Sequence, residues 1–114
     1  MKLTSSTALR RARKGAKLLD SQLLVSNWRG QVNRATLDMK HCNRCILGQV
    51  YGDFWAAVRR LFNGWADEDG TDERVAQHGF SLPTDNDDLA EQEDLDWYTL
   101  QQAWETVLRE AERI

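Results

Sequence analysis

Trp97, Leu100, Trp104, Val107, Ala111 and Ile114 are separated by steps of 3, 4, 3, 4 and 3 residues. Only an α-helix puts side chains at that spacing on one side, because a strand turns its side chains over every second residue. The same period recurs at Leu9, Ala12, Ala16, Leu19 and Leu23, and again at Cys42, Ile46, Val50, Phe54, Ala57 or Val58, and Leu61. Strand-like alternation is nearly absent. The chain is therefore expected to be all-α.

Three main helices are expected, at about 5–23, 41–62 and 95–113, with a short one at about 72–78. Thr4, Ser5 or Ser6 can cap the first, whose middle Gly15 weakens by about 1 kcal/mol relative to Ala. Residues 24–39 read as an irregular connection anchored by Trp28, Val32, Leu37 and Met39. Asp38 is placed to cap the second helix, with Leu37 and Cys42 forming a hydrophobic staple. Gly48, Gly52 and Ala56 form a small-residue stripe along that helix, where a neighbouring helix can approach closely. Asn63-Gly64 ends it, because glycine accepts the left-handed cap conformation. Thr71 or Asp72 starts the short helix and Gly79 stops it. Asp94 or Asp96 starts the last, where the helix dipole favours negative charge.

With 114 residues the chain suits one domain, 1–114, hiding roughly two-thirds of its unfolded surface. No apolar run approaches the ~20 residues that cross a bilayer, so no membrane partner is expected. The leader MKLTSSTALRRARKGAKLL carries charge where a secretory signal is apolar. Two cysteines make no disulfide scaffold. Together these features point to the cytoplasm.

Charge is segregated. Residues 1–44 carry ten Lys/Arg against Asp20 and Asp38, a net +8, and residues 45–114 carry a net −11. The acidic half can dock on the basic half, on a partner, or on another copy of the chain. Its acids cluster in two segments expected as loops, 66–73 and 85–96. The second does not suit calcium: an EF-hand loop started at Asp85 has Leu89 where a fifth-position oxygen ligand is needed and Ala90 where the glycine turn belongs.

Cys42-Asn43-Arg44-Cys45 is the one chemically loaded motif. Thiols three apart at a helix start face free amides and the positive dipole end, which lowers a thiol's pKa, and Lys40, His41 and Arg44 act in the same direction. Dithiol exchange normally uses such a pair after a strand, and no strand is expected. For zinc, Cys42 and Cys45 supply two of four tetrahedral ligands and His78 a third. Buried packing is the third reading, since Cys behaves as a small hydrophobe. No cofactor is required by the pattern. No nucleophile elbow, phosphate-binding glycine loop or HExxH is present, so a non-catalytic role is expected.

Binding remains, and two surfaces present themselves. Arg10, Arg11, Arg13 and Lys14 on the first helix can neutralise nucleic-acid phosphates, although a sequence pI of about 5.3 runs against that use. Five tryptophans serve mainly as core, but Trp55 stands off the Phe54 face beside Arg59, and Trp and Arg are favoured at protein interfaces. A protein partner is the leading expectation, with nucleic acid and self-association as alternatives.

The stretch Leu37-Asp38-Met39-Lys40-His41-Cys42-Asn43-Arg44-Cys45-Ile46-Leu47-Gly48-Gln49-Val50-Tyr51-Gly52-Asp53-Phe54, followed by Ala76-Gln77-His78-Gly79-Phe80, resembles a small family of uncharacterised proteins encoded by actinobacteria and their phages. The resemblance covers about residues 15–80. It implies a setting, the actinobacterial or phage-infected cytoplasm, and no mechanism.

Overall fold

The computed structural model describes residues 2–22, 25, 27–65, 68, 70–82 and 90–112, and all of its regular structure is helical. Helix α1 spans Ser5–Asp20, α2 Trp28–Gln31, α3 Ile46–Tyr51, α4 Phe54–Phe62, α5 Thr71–Gln77 and α6 Ala90–Glu112. The long helices α1 and α6 pack on each other, and α5 closes over α1, while α3 and α4 form a second layer reaching α5 through α4 and α2 through α3.

Helix α1 begins where Thr4 Oγ1 accepts the Thr7 amide at 3.3 Å, one of the expected caps. Its inner face is Ala8, Ala12, Gly15, Ala16 and Leu19, so Ala8 takes the buried place expected for Leu9, which is only partly covered. The expected terminal member of this stripe, Leu23, lies outside the described residues. Small residues dominate this face because α5 and α6 come very close. A Cβ on Gly15 would stand 2.1 Å from the His78 carbonyl oxygen and 3.1 Å from the Trp104 ring. Gly79 repeats the arrangement from the other side: its φ is +74°, and a Cβ there would meet the Ala12 nitrogen at 2.8 Å. Trp104 seals the junction by donating from Nε1 to the Gly79 carbonyl at 2.6 Å. The apparent weak point of the first helix is thus its crossing point, and tight packing offsets the propensity cost.

The expected helix over 41–62 is two helices preceded by a turn. Residues 41–45 are not helical; Cys45 is the N-cap of α3, its Sγ accepting the Gly48 amide at 3.3 Å. Gly52 then adopts φ +89° and ends α3, and Asp53 caps α4 by accepting the Ala56 amide at 3.2 Å. A glycine followed by Asp reads as stop then start, which a count of apolar spacing does not register. The small-residue stripe dissolves accordingly. Gly48 lies under the chain's own Cys42–Asn43 turn, 2.2 Å from the Cys42 carbonyl for an added Cβ, Gly52 is a cap, and Ala56 is exposed. Asp38 makes a local turn, accepting the Lys40 amide at 3.1 Å, and no staple forms because Leu37 is buried while Cys42 is exposed.

Helix α5 has Gly70 at its N-cap, one residue before the expected Thr71 or Asp72, and Thr71 is buried. Helix α6 begins at Ala90, so Asp94 and Asp96 lie inside it and cap nothing. Asp96 is buried and accepts from the Leu3 amide and Gln92 Nε2, each at 2.9 Å, tying the chain's start to α6. Of the acidic segments expected as loops, 71–73 and 90–96 are helical, and 66, 67, 69 and 85–89 lie outside the described residues.

The core joins both layers. Leu19, Trp28, Ile46, Leu47, Val58, Val75, Phe80, Leu100 and Trp104 are fully buried within it. Trp28 meets Trp104 edge to face with centroids 6.1 Å apart, and its Nε1 donates to Asp20 at 2.9 Å, so the indole's polar end is satisfied. From the terminal seam Leu100, Trp104 and Val107 are buried and Trp97 partly so. The side chains of Ala111 and Ile114 lie outside the description.

Candidate functional site

Large apolar side chains left in water are the first place to look for a docking surface. Trp55, Trp65, Leu95 and Tyr98 are 49%, 51%, 59% and 64% exposed. They fall into two pairs on different elements, Trp55 and Trp65 around α4 and Leu95 and Tyr98 on α6.

The α4 pair is built by local chain geometry. The Asp53 cap sets α4's first turn, which turns Phe54 toward the core and Trp55 outward, the two rings edge to face at 5.6 Å. Arg59 lies one turn further along the same outer side. After Phe62 the chain reverses through Asn63 at φ +54°, whose amide returns to the Arg59 carbonyl at 3.1 Å. That reversal brings Trp65 back over the helix end, with the Arg59 guanidinium 3.9 Å above its ring centre. Cation–π contact holds the pair in one geometry. Sequence reading reached Trp55 and Arg59 but assigned Trp65 to the core; the Asn63 turn throws it outward.

The α6 pair was missed. Leu95 and Tyr98 follow Glu91 at steps of four and three, a stripe opposite the buried seam and too short to register beside that seam's regularity. Tyr98 also borders a groove of about 700 Å³ between residues 35–40 and α6, whose other walls include Met39, Lys40, Arg44, Trp97 and Gln101. Gln101 fastens the far wall, its Oε1 accepting the Met39 amide at 2.8 Å and its Nε2 donating to the Leu37 carbonyl at 2.7 Å. Lys40 reaches across to Asp94 at 3.1 Å.

The cysteines and His78 do not meet. Cys42 is exposed in the turn and Cys45 buried at the α3 cap. His78 ends α5, stacked on Phe80 with centroids 6.5 Å apart, its Nδ1 2.7 Å from the Arg74 carbonyl oxygen. Among the described residues no three His, Cys, Asp or Glu side chains are placed to hold a metal ion. Burial pushes the Cys45 thiol up, and the amides of Gly48 and Leu47 oppose that shift only in part. The expected lowering at a helix start therefore fails for Cys45, because loss of water outweighs amide contact.

On α1, Arg10, Arg13 and Lys14 are exposed and Arg11 half-buried. Arg13 is committed to Glu110 of α6 at 2.6 Å, so part of the basic segment does neutralise the acidic half within the chain. Arg10 and Lys14 point to water. Among the described residues no helix is long and apolar enough to cross a membrane.

Comparison with protein-family models, with curated proteins and with solved structures finds no match to this chain.

Proposed function

We propose that this is a small helical binding protein that acts through protein–protein contact and not through catalysis, with Trp55, Arg59 and Trp65 as its docking face. The observation that carries the reading is Arg59 held 3.9 Å over a half-exposed Trp65, one helical turn from a half-exposed Trp55. Leaving each indole half in water forgoes roughly half of the about 1.5–3 kcal/mol that full burial of a large apolar side chain is worth. A partner recovers that energy, and a pre-ordered cation–aromatic cluster loses little side-chain entropy on binding. The actinobacterial or phage setting, and a cytoplasmic site of action, belong to the same proposal and rest on the Leu37–Phe54 segment.

The test is retention of partner proteins by the immobilised chain, compared between wild type and a Trp55→Ser/Trp65→Ser variant. Proteins kept by wild type and by Arg10→Gln/Lys14→Gln, but lost from the tryptophan variant, are the expected result. Identical retention by all three chains refutes the reading.

A second reading, nucleic-acid binding through α1, is favoured by the solvent-facing Arg10 and Lys14. It requires affinity that falls steeply with salt and is lost in the Arg10→Gln/Lys14→Gln variant. Binding indifferent to either change removes it.

A further inference from the structure

We propose that the partner of the Trp55–Arg59–Trp65 face is a second copy of this chain, which offers the Glu91–Leu95–Tyr98 stripe of α6 and the groove beside it; this rests on that face being a docking surface. The contact is head to tail: the cationic-aromatic face of one copy meets the acidic-apolar stripe of the next.

Three observations converge. First, among the described residues the four exposed large apolar side chains form two pairs, and each pair has a charged companion of opposite sign. Arg59 accompanies the tryptophans and Glu91 accompanies Leu95 and Tyr98, and both charged residues are exposed. The groove's own rim is balanced, since Lys40 pairs with Asp94, and Arg44 and Asp38 both stand on it. The surplus charge on that stripe of α6 therefore comes from Glu91.

Second, the two faces do not cover each other within one chain, since Trp55, Trp65, Leu95 and Tyr98 all stay about half exposed or more. Helix α4 packs on α3 and α5, and α6 on α1. Third, shape follows charge. Trp55 projects from a helix, while Tyr98 borders an open groove of about 700 Å³ floored by Met39 and Trp97. The exposed half of the Trp55 indole, seated there, buries roughly half of the ~150–250 Å² an aromatic side chain offers. Like-with-like pairing sets Arg59 against its own copy, or Glu91 against its own, which like-charge repulsion opposes. Head-to-tail pairing places opposite charges together. Such an interface leaves one face free at each end, so assembly continues into a ring or a chain of copies unless geometry stops it.

The experiment is sedimentation velocity on the full chain over a concentration series, with Trp55→Ser and Tyr98→Ser as single-face variants. Both positions are half or more exposed, and circular dichroism with near-ultraviolet spectra checks that each variant keeps the fold. Wild type is expected to associate with rising concentration, and less so in high salt. Each variant alone is expected to remain monomeric where wild type associates. An equimolar mixture of the two variants is expected to form a 1:1 heterodimer and nothing larger, because each supplies the one face the other lacks.

A monomeric wild type across the series overturns the proposal, as does a mixture that stays monomeric, or self-association of either variant at the wild-type level. The broader reading is separable: if wild type is monomeric yet Trp55→Ser/Trp65→Ser abolishes capture of a different protein, only the second-copy inference fails. If Tyr98→Ser alone disrupts association while Trp55→Ser and Trp65→Ser do not, the tryptophan docking face fails with it.

Discussion

Gly15→Ala is the perturbation that tests the packing argument most sharply, because local and tertiary physics predict opposite signs. In an exposed helix this change stabilises by about 1 kcal/mol. Here the new Cβ meets the His78 carbonyl oxygen at 2.1 Å, together with the Phe80 and Trp104 rings at 3.0 and 3.1 Å. The carbonyl is backbone and cannot swing aside, so α1 must retreat from α5 and α6 by about 1 Å, a gap that forfeits a quarter to a half of each dispersion contact across it. Overpacking of this kind costs typically 1–3 kcal/mol, here at the upper end. Subtracting the propensity gain leaves a net loss of about 2 kcal/mol, or roughly 8 °C in melting temperature for a domain of this size. Urea unfolding followed by tryptophan fluorescence reads it directly, as a lower midpoint with an unchanged slope. Gly30→Ala is the control, since nothing lies within 4 Å of a Cβ there. A Gly15→Ala protein as stable as wild type, or more so, refutes the close-crossing account.

Asp96→Ala removes the acceptor for the buried Leu3 amide and for Gln92, and is expected to cost about 1–3 kcal/mol in urea unfolding; an unchanged midpoint counts against that tether. Asp20's carboxyl feels partial burial, which raises its pKa, but hydrogen bonds from Arg29 and Trp28 outweigh it and hold the group below its ordinary value. Its folded pKa is then below its unfolded one, so its stabilisation is fully present above about pH 4 and disappears as pH falls through the lower folded value. Asp20→Asn is expected to flatten the acid limb of a stability-versus-pH curve, and an unaltered limb contradicts the pairing. Cys42, exposed, is expected to react with a thiol reagent within minutes in native protein, whereas Cys45, buried and with its thiol pushed up, is expected to react only after unfolding; equal rates overturn the assignment of Cys45 as a buried cap.

Much of this architecture is legible along the chain because it is local. The α6 seam through Leu100, Trp104 and Val107, the Thr4 cap and the Gly79 stop all depend on neighbours within a turn or two, where spacing and side-chain chemistry decide the outcome. The break between α3 and α4 was also readable in principle, as Gly52-Asp53, but competed with an uninterrupted apolar spacing that hid it. The docking face was half legible. Trp55 and Arg59 follow from helical phase, whereas Trp65 needed the Asn63 reversal that turns the chain back on α4.

By its own order of residues the chain determined that it is helical, where most helices lie and which sides of them are apolar, since period and capping act over a few residues. Only the tertiary structure decided that Gly15 is a crossing point, that Asp96 is a buried tether 93 residues from its backbone partner, and that Cys42 and Cys45 face opposite environments with no metal-binding group of three around them among the described residues. Those outcomes depend on which surfaces come within a few ångströms of each other, and no short stretch of sequence holds both sides of such a contact.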